Sequence, residues 1–332
     1  MKPILVTGAD GFIGSHLVEE LVRRGRRVRA FVQYNSLGHW GWLETVPESV
    51  RVAIEVFPGD IRDGVFVREA VSGCGEVIHL AALISIPYSY RAPESFVETN
   101  IRGTLNIVQA ARDLGAHKVV VTSTSEVYGT AQFVPITEQH PLVGQSPYAA
   151  SKIGADQLAM SYFHSFGTPV TIVRPFNTFG PRQSARAVIP AIIVQLLSGA
   201  NQLKLGALDP RRDLTYVADT VRGMIAALDA KNSLGEIINL GTGLDVSIGE
   251  LARIIIEIMG VKADIERDEQ RVRPVDSEVR LLRADNSKAR QLIGWQPELA
   301  GIDGLRRGLE QTVRWFSDPA NRASYPRTQY VI

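Results

Sequence analysis

The chain has 332 residues, 36 of them basic and 35 acidic, for a formal net charge of +1. A hydrophobic share of 45% against 21% charged residues excludes an intrinsically disordered protein. The even charge balance excludes a general pull toward nucleic acid or anionic membrane, so any anion site must be local. In chain order, the β-branched run Ile4-Leu5-Val6-Thr7 predicts a first strand, followed by glycines and an amphipathic helix with Leu17, Val18, Leu21 and Val22 on one face. Gly25 ends that helix. Strands are predicted at 28–32, 50–57, 77–80, 118–122 and 170–173, with long helices at about 94–114 and 148–166. Strands that alternate with helices argue for a doubly wound parallel sheet with right-handed crossovers. Beyond Pro175 the pattern predicts helices at 187–197, 216–228 and 248–259, a returning strand at 237–240, and two more helices between 285 and 316.

These elements divide into a dinucleotide-binding domain, residues 1–176 and 214–242, and a smaller interleaved C-terminal α/β substrate lobe, residues 177–213 and 243–332. The single cysteine, Cys74, fits a reducing compartment. The N-terminus turns glycine-rich before a secretion-signal core could form. The longest apolar, charge-free stretch, 187–200, is shorter than the about 20 residues of a membrane span and is broken by Pro190. The expectation is a cytoplasmic protein without membrane or nucleic-acid partners.

Gly8-Ala9-Asp10-Gly11-Phe12-Ile13-Gly14 lies where the first strand meets the first helix. Glycines there permit a tight turn and a close approach of backbone N–H groups to a pyrophosphate, and the helix N-terminus adds partial positive charge. The Gly-x-x-Gly-x-x-Gly spacing resembles that of the short-chain dehydrogenase/reductase superfamily, which implies a Rossmann-type fold. At the end of the second strand, Val32-Gln33-Tyr34-Asn35-Ser36 holds no acid for the ribose hydroxyls of NAD. Asn35 or Ser36 could donate to a 2′-phosphate, but no arginine stands at the strand tip, so NAD and NADP both remain open. Asp60, after the third strand, is placed either to accept from an adenine amino group or to cap a helix.

Tyr148 and Lys152, four residues apart at the start of a long helix, share one face. A tyrosine is a poor base at its free pKa of about 10, and a nearby ammonium favours the phenolate. Thr124 ends the fifth strand, at the carboxyl edge where open α/β folds bind ligands. Together with the glycine turn, His79-Leu80-Ala81-Ala82, Asn100 and Arg174-Pro175-Phe176-Asn177, these residues make the chain resemble the extended short-chain dehydrogenase/reductases that act on nucleotide sugars, from residue 4 to about 300. The resemblance implies catalytic roles for Thr124, Tyr148 and Lys152. It implies dinucleotide contacts from Gly8, Gly11, Phe12, Ile13, Gly14, Asn35, Ser36, Asp60, Ile61, Ala81, Ala82, Tyr148, Lys152 and Pro175. It further implies a tightly held, recycled cofactor.

Glu126 separates the branches of that family. Oxidation of a sugar at C4 acidifies the C5 hydrogen, and a carboxylate beside it can act as general base while the C6 hydroxyl leaves. This favours a 4,6-dehydratase over a 4-epimerase, which usually has a small or neutral residue here. Glucose-nucleotide dehydratases carry Thr-Asp-Glu; here Ser125 replaces the Asp, so the acid is either Glu126 itself or Ser125 through water. Thr-Ser-Glu resembles the pattern of GDP-mannose 4,6-dehydratases and of the N-acetylhexosamine dehydratases of legionaminic-acid synthesis; Gln33-Tyr34-Asn35-Ser36 and the run from Arg174 to Arg186 resemble most the latter, which implies a UDP- or GDP-linked N-acetylglucosamine. A UDP-glucuronate decarboxylase is the nearest alternative, and a non-catalytic NAD(P)-sensing protein is the alternative from another class.

A nucleotide diphosphate needs cations and N–H donors. Asn177, Arg182, Arg186, Arg212 and Arg273 are the candidates, with Arg182 and Arg186 sharing a face if helical. The six histidines have no metal-ligand spacing, so no metal is expected. The helices at 94–114 and 148–166 carry apolar residues beyond one sheet contact, and family members often dimerise by a four-helix bundle of this pair, so a homodimer is expected.

Overall fold

Seven parallel strands form the central sheet in the order β3-β2-β1-β4-β5-β6-β10. They are β1 (Ile4–Thr7), β2 (Val28–Gln33), β3 (Ile54–Gly59), β4 (Glu76–His79), β5 (Lys118–Thr122), β6 (Val170–Pro175) and β10 (Ile237–Leu240). The computed structural model describes residues 2–323 and 325. The strands read as near-continuous apolar runs because both faces of the sheet are covered. Ile4, Val6, Ile78, Val120 and Val173 face α1 (Phe12–Arg23) and the helix Val217–Asp229. Leu5, Val77, Val119 and Val121 face the other way, onto α2 (Gly64–Val71), α3 (Gly103–Leu114) and α4 (Pro147–Phe166). The chain reverses its direction of travel across the sheet between β1 and β4, which opens a crevice at the carboxyl ends of those strands.

Strands β1, β5 and β10 match their sequence expectation to the residue. Two expectations are corrected. The third strand starts at Ile54, not Val50, because Pro47 and Glu48 open a helical turn over Glu48–Arg51. The helix expected at 94–114 is interrupted: a turn at Pro93–Phe96 and a π-helical turn at Val97–Arg102 precede α3. That widened turn carries Asn100, fully buried, toward the crevice loop after β4.

A second sheet is built on β9 (Arg211–Tyr216). It pairs with β7 (Asn177–Phe179) and β13 (Leu281–Leu282) in parallel and with β11 (Asp245–Ser247) antiparallel. A separate parallel pair joins β8 (Gln202–Leu205) and β12 (Asp264–Arg267). Helices α5 (Val188–Leu197), α6 (Val217–Asp229), α7 (Ile248–Met259), α8 (Ser287–Ile293) and α9 (Gly301–Ser317) complete the chain. Ile192, Ile193, Leu251, Ile255, Leu309 and Phe316 form the core under the second sheet. Among the described residues no helix is long and apolar enough to cross a membrane.

Candidate active site

The turn between β1 and α1 is shaped for close approach. Gly8 has φ +66°, the left-handed region that favours glycine, and a side chain there would meet the Ala81 backbone N at 2.9 Å. A Cβ on Gly14 would lie 2.0 Å from the Gly8 carbonyl oxygen, so the first turn of α1 can pack against the loop only without one. No side chain caps α1 at Gly11, which leaves the first N–H groups, at Phe12 and Ile13, without a side-chain partner at the helix end. An uncapped helix N-terminus above a glycine turn fits the pyrophosphate of a dinucleotide. Asp10 is a site residue that the sequence reading left out. Its carboxylate accepts from the Gln33 N–H at 3.4 Å and its carbonyl from the Trp42 N–H at 3.0 Å, tying the turn to the end of β2. Burial pushes its pKa up.

At the β2 edge, Asn35 spends its carboxamide on its own loop. Nδ2 donates to the carbonyls of Gln33 and His39, and Oδ1 accepts from the N–H groups of Leu37 and His39. Ser36 is exposed. Asp60 is bound by Arg62, whose guanidinium holds its carboxyl below the usual range. Ile61 is buried against Gly103. Ala81 and Ala82 follow β4 beside the glycine turn, and Pro175 closes β6, buried.

The reacting residues come together at the carboxyl ends of β5 and the start of α4. Ser146 caps α4 by accepting from the Ala149 N–H at 3.1 Å, and Pro147 sits at the first helical position. Tyr148 is thereby held inside the crevice, 7% exposed, its ring edge-on to Phe96 at 6.2 Å. Thr124 is hydrogen-bonded to Tyr148, and its Oγ1 also accepts from the Glu126 N–H at 3.2 Å. That second bond caps a 3₁₀ turn, Ser125–Tyr128, in which Ser125 and Glu126 are both buried. Lys152 Nζ donates to the Thr122 carbonyl at 2.8 Å.

Burial is the largest influence on the Tyr148 phenol and pushes its pKa up. The bond from Thr124 opposes this, and the charges of Glu126 and Asp156 add to it. The sequence reading expected the Lys152 ammonium and the nicotinamide ring together to lower this pKa; in the protein alone burial dominates and the phenol holds its proton. Burial also pushes Lys152 down, opposed by Asp156. Glu126 and Tyr148 thus share one buried neighbourhood at the end of β5.

The candidate arginines differ in their partners. Arg182 adopts φ +68° and donates to Glu19 at 2.7 Å and to Ser15 Oγ at 3.3 Å, fastening its loop to α1. The helix starts only at Val188, so the helical face expected to unite Arg182 and Arg186 does not form. Arg212 and Arg273 meet at Glu278, at 2.9 and 3.5 Å. Asn177 starts β7 with its Oδ1 buried and unpartnered. Asn100 is the second residue whose role sequence reading missed. Its side chain clamps the Leu83 N–H (2.8 Å) and carbonyl (2.9 Å) and donates to Ser151 Oγ at 2.9 Å. No cluster of three or more metal-ligating side chains occurs among the described residues.

The chain matches the family model for GDP-mannose 4,6 dehydratase over residues 5–307. It is similar to a dTDP-glucose 4,6-dehydratase of Streptomyces antibioticus, 32% identical over 96% of this chain and 93% of that protein. It is also similar to a UDP-N-acetyl-alpha-D-glucosaminuronate decarboxylase of Bacillus cytotoxicus, 34% identical over 96% of this chain and 99% of that protein. Among solved structures, a double mutant of DesIV, the dTDP-glucose 4,6-dehydratase of Streptomyces venezuelae, with NAD and DAU bound, superposes with a TM-score of 0.84 at 29% identity, covering 97% of this chain and 98% of that one. Epimerases of nucleotide sugars match as well.

Proposed function

This chain belongs to the GDP-mannose 4,6-dehydratase family, within the NAD-dependent nucleotide-sugar dehydratases and epimerases, and from that premise we propose that it is a nucleotide-sugar 4,6-dehydratase acting on a UDP- or GDP-linked N-acetylglucosamine. The observation that carries the reading is the burial of Glu126 on the turn capped by Thr124, within reach of Tyr148.

Tyr148 accepts the C4 hydroxyl proton as that carbon is oxidised, with Thr124 orienting the hydroxyl. Lys152, whose Nζ donates to the Thr122 carbonyl, would supply positive charge that favours the Tyr148 phenolate once dinucleotide and substrate are in place. A bound nicotinamide dinucleotide supplies acceptance of hydride from C4 and its return to C6. The glycine turn and the uncapped end of α1 would hold its pyrophosphate. Glu126 removes the proton at C5, acidified by the new ketone, and the C6 hydroxyl departs as water. Ser125 lacks an acidic proton, so Glu126 gives the proton it took from C5 to the departing C6 hydroxyl, and C5 afterwards takes a proton from solvent through the same carboxylate. Arg212, Arg273 and Asn177 face the diphosphate and nucleotide half. An amino sugar is supported by the resemblance of the run from Arg174 to Arg186 and by the match to an NDP-hexosamine 5,6-dehydratase. A homodimer through the helices at 93–114 and α4 belongs to the same reading, supported by Val97 and Phe166, 47% and 50% exposed on them.

The decarboxylase match favours a second reading, removal of a sugar carboxylate after the same C4 oxidation. Incubation with UDP- and GDP-N-acetylglucosamine in deuterium oxide separates the two. A dehydratase forms a 4-keto-6-deoxy sugar labelled at C5, and a decarboxylase leaves these sugars untouched. Glu126→Gln lowers that conversion by about 10²–10⁴-fold with dinucleotide affinity unchanged. Undiminished elimination in the variant overturns the proposal.

A further inference from the structure

Arg186, an exposed residue, differs from the other candidate arginines, Arg182, Arg212 and Arg273. Arg182 is bound to Glu19, and Arg212 to Glu278. Among the described residues the Arg186 guanidinium has no ion pair or hydrogen bond; only its backbone N–H is engaged, by Ser184 Oγ at 3.4 Å. The side chain lines a cavity of about 310 Å³ together with Leu83, Ile84, Ser85, Tyr88 and Phe96. That volume is at the small end of ligand sites, roughly 300–1,000 Å³, and suits a sugar ring rather than a whole nucleotide sugar.

The cavity adjoins the reacting group. Phe96 packs on Tyr148, and Leu83 joins the same apolar cluster with Ile86. Its floor, residues 82–85, leaves β4 at the crevice beside the glycine turn. Arg186 therefore serves the sugar end of the site, while Arg212 and Arg273 share Glu278 elsewhere on the second sheet. A guanidinium brought against Leu83, Ile84 and Phe96 by a bound sugar loses water and requires an acceptor. A sugar that lacks the acceptor leaves it unpaired, which is how a polar group in a site rejects an analogue.

Resting on the dehydratase reading, we infer that Arg186 is a specificity-determining residue that donates to the carbonyl oxygen of the sugar's acetamido group. A uronic acid carboxylate offers the same kind of acceptor, so the test carries both.

The experiment measures equilibrium affinity of the dinucleotide-loaded protein for the free nucleoside diphosphate and for its glucose, N-acetylglucosamine and glucuronate conjugates, in the UDP and GDP series. Wild type, Arg186→Met and Arg186→Lys are compared. The wild type is expected to bind the N-acetylglucosamine conjugate about 10- to 100-fold more tightly than the glucose conjugate, the range of a charged hydrogen bond. Arg186→Met erases that gap and leaves the diphosphate and the glucose conjugate within about twofold; Arg186→Lys restores part of it. A gap that survives in Arg186→Met overturns the inference. So does an equal loss for the free diphosphate, which assigns the arginine to phosphate, or a wild-type preference for the glucuronate conjugate that the variant abolishes. Absence of 4-ketone product with the gap present sinks the dehydratase reading and leaves Arg186 as assigned.

Discussion

The Thr7 hydroxyl lies 2.7 Å from His79 Nδ1, and this contact fixes the protonation of a fully buried imidazole. Thr7 Oγ1 already accepts the N–H groups of Leu80 and Ala81, each at 3.1 Å, so its one proton goes to Nδ1. Nε2 then carries the ring proton and donates to Thr104 Oγ1 at 3.1 Å, and the Thr104 hydroxyl donates to the Asn100 carbonyl at 2.7 Å. A neutral ring is the form that satisfies every atom. Burial first, and the charge of Lys152 second, push its pKa down to about 3.

This gives stability a pH dependence of known sign. With a folded pKa of about 3 against 6.5 in the open chain, the unfolded state takes the proton first. The contribution of neutral His79 is complete above pH 6.5 and is lost progressively as pH falls toward 3. Denaturant midpoints should decline across that window, and His79→Gln should decline less steeply. His16, also pushed down by burial and by Arg182, supplies the residual slope. Parallel curves for wild type and variant would show that His79 does not titrate as its bonds require.

Gly14→Ala tests the cradle. Its added methyl would sit 2.0 Å from the Gly8 carbonyl, against backbone that cannot yield, so α1 must shift away from the turn. Dinucleotide affinity, followed by tryptophan quenching, should fall by at least about tenfold, the equivalent of a single hydrogen bond at the pyrophosphate. Gly25→Ala is the control. It also has positive φ but meets nothing within 4 Å, so it should cost only about 1–2 kcal/mol of stability and leave affinity intact.

What was legible in the sequence follows from how each element is buried. Strands covered on both faces, such as Lys118–Thr122, are unbroken apolar runs and were found to the residue. The helix expected at 148–166 starts one residue earlier, at Pro147, behind the cap Ser146, whose chemistry is local in sequence. The strands of the second sheet were not foreseen, because Arg211-Arg212-Asp213 looks like a polar loop until Asp245 and Glu278 neutralise its arginines from 34 and 66 residues away. For the same reason the Arg182–Glu19 pair, 163 residues apart, was hidden, and Arg182 was read as free to meet an anion. Tyr148, Lys152, Thr124 and Glu126 were legible as types at spacings. That burial would raise the phenol's pKa was not, since burial belongs to the fold.

Asn100→Ala should act on sugar binding alone. Its carboxamide is buried and satisfies both backbone groups of Leu83, which lines the cavity proposed for the sugar, so truncation leaves two polar groups unpaired at about 1–3 kcal/mol each. The loop after β4 loosens while the glycine turn is untouched. KM for the nucleotide sugar should rise about tenfold or more with dinucleotide affinity within error of wild type. Equal weakening of both ligands would mean that the loop and the cradle move together.

Asp156 and Arg174 make the most deeply placed ion pair of the site, 3.0 Å across with each side chain 1% exposed. Asp156 Oδ2 also accepts from Ser123 Oγ at 2.8 Å. Arg174 donates to the Tyr128 hydroxyl at 3.0 Å, and that hydroxyl donates to Asn239 at 2.7 Å. Because Tyr128 ends the turn that carries Glu126, the pair sets this proposed general base relative to α4 and its Tyr148 and Lys152. Asp156→Leu alone strands a buried guanidinium and should cost about 3–5 kcal/mol in denaturant unfolding. Adding Arg174→Met replaces both charges by apolar groups of similar size and should recover most of that loss. Exchange of deuterium into sugar C5 should not recover with it, since Tyr128 has lost its donor and Glu126 its fixed position. Recovery of exchange along with stability would reduce the pair to a structural brace.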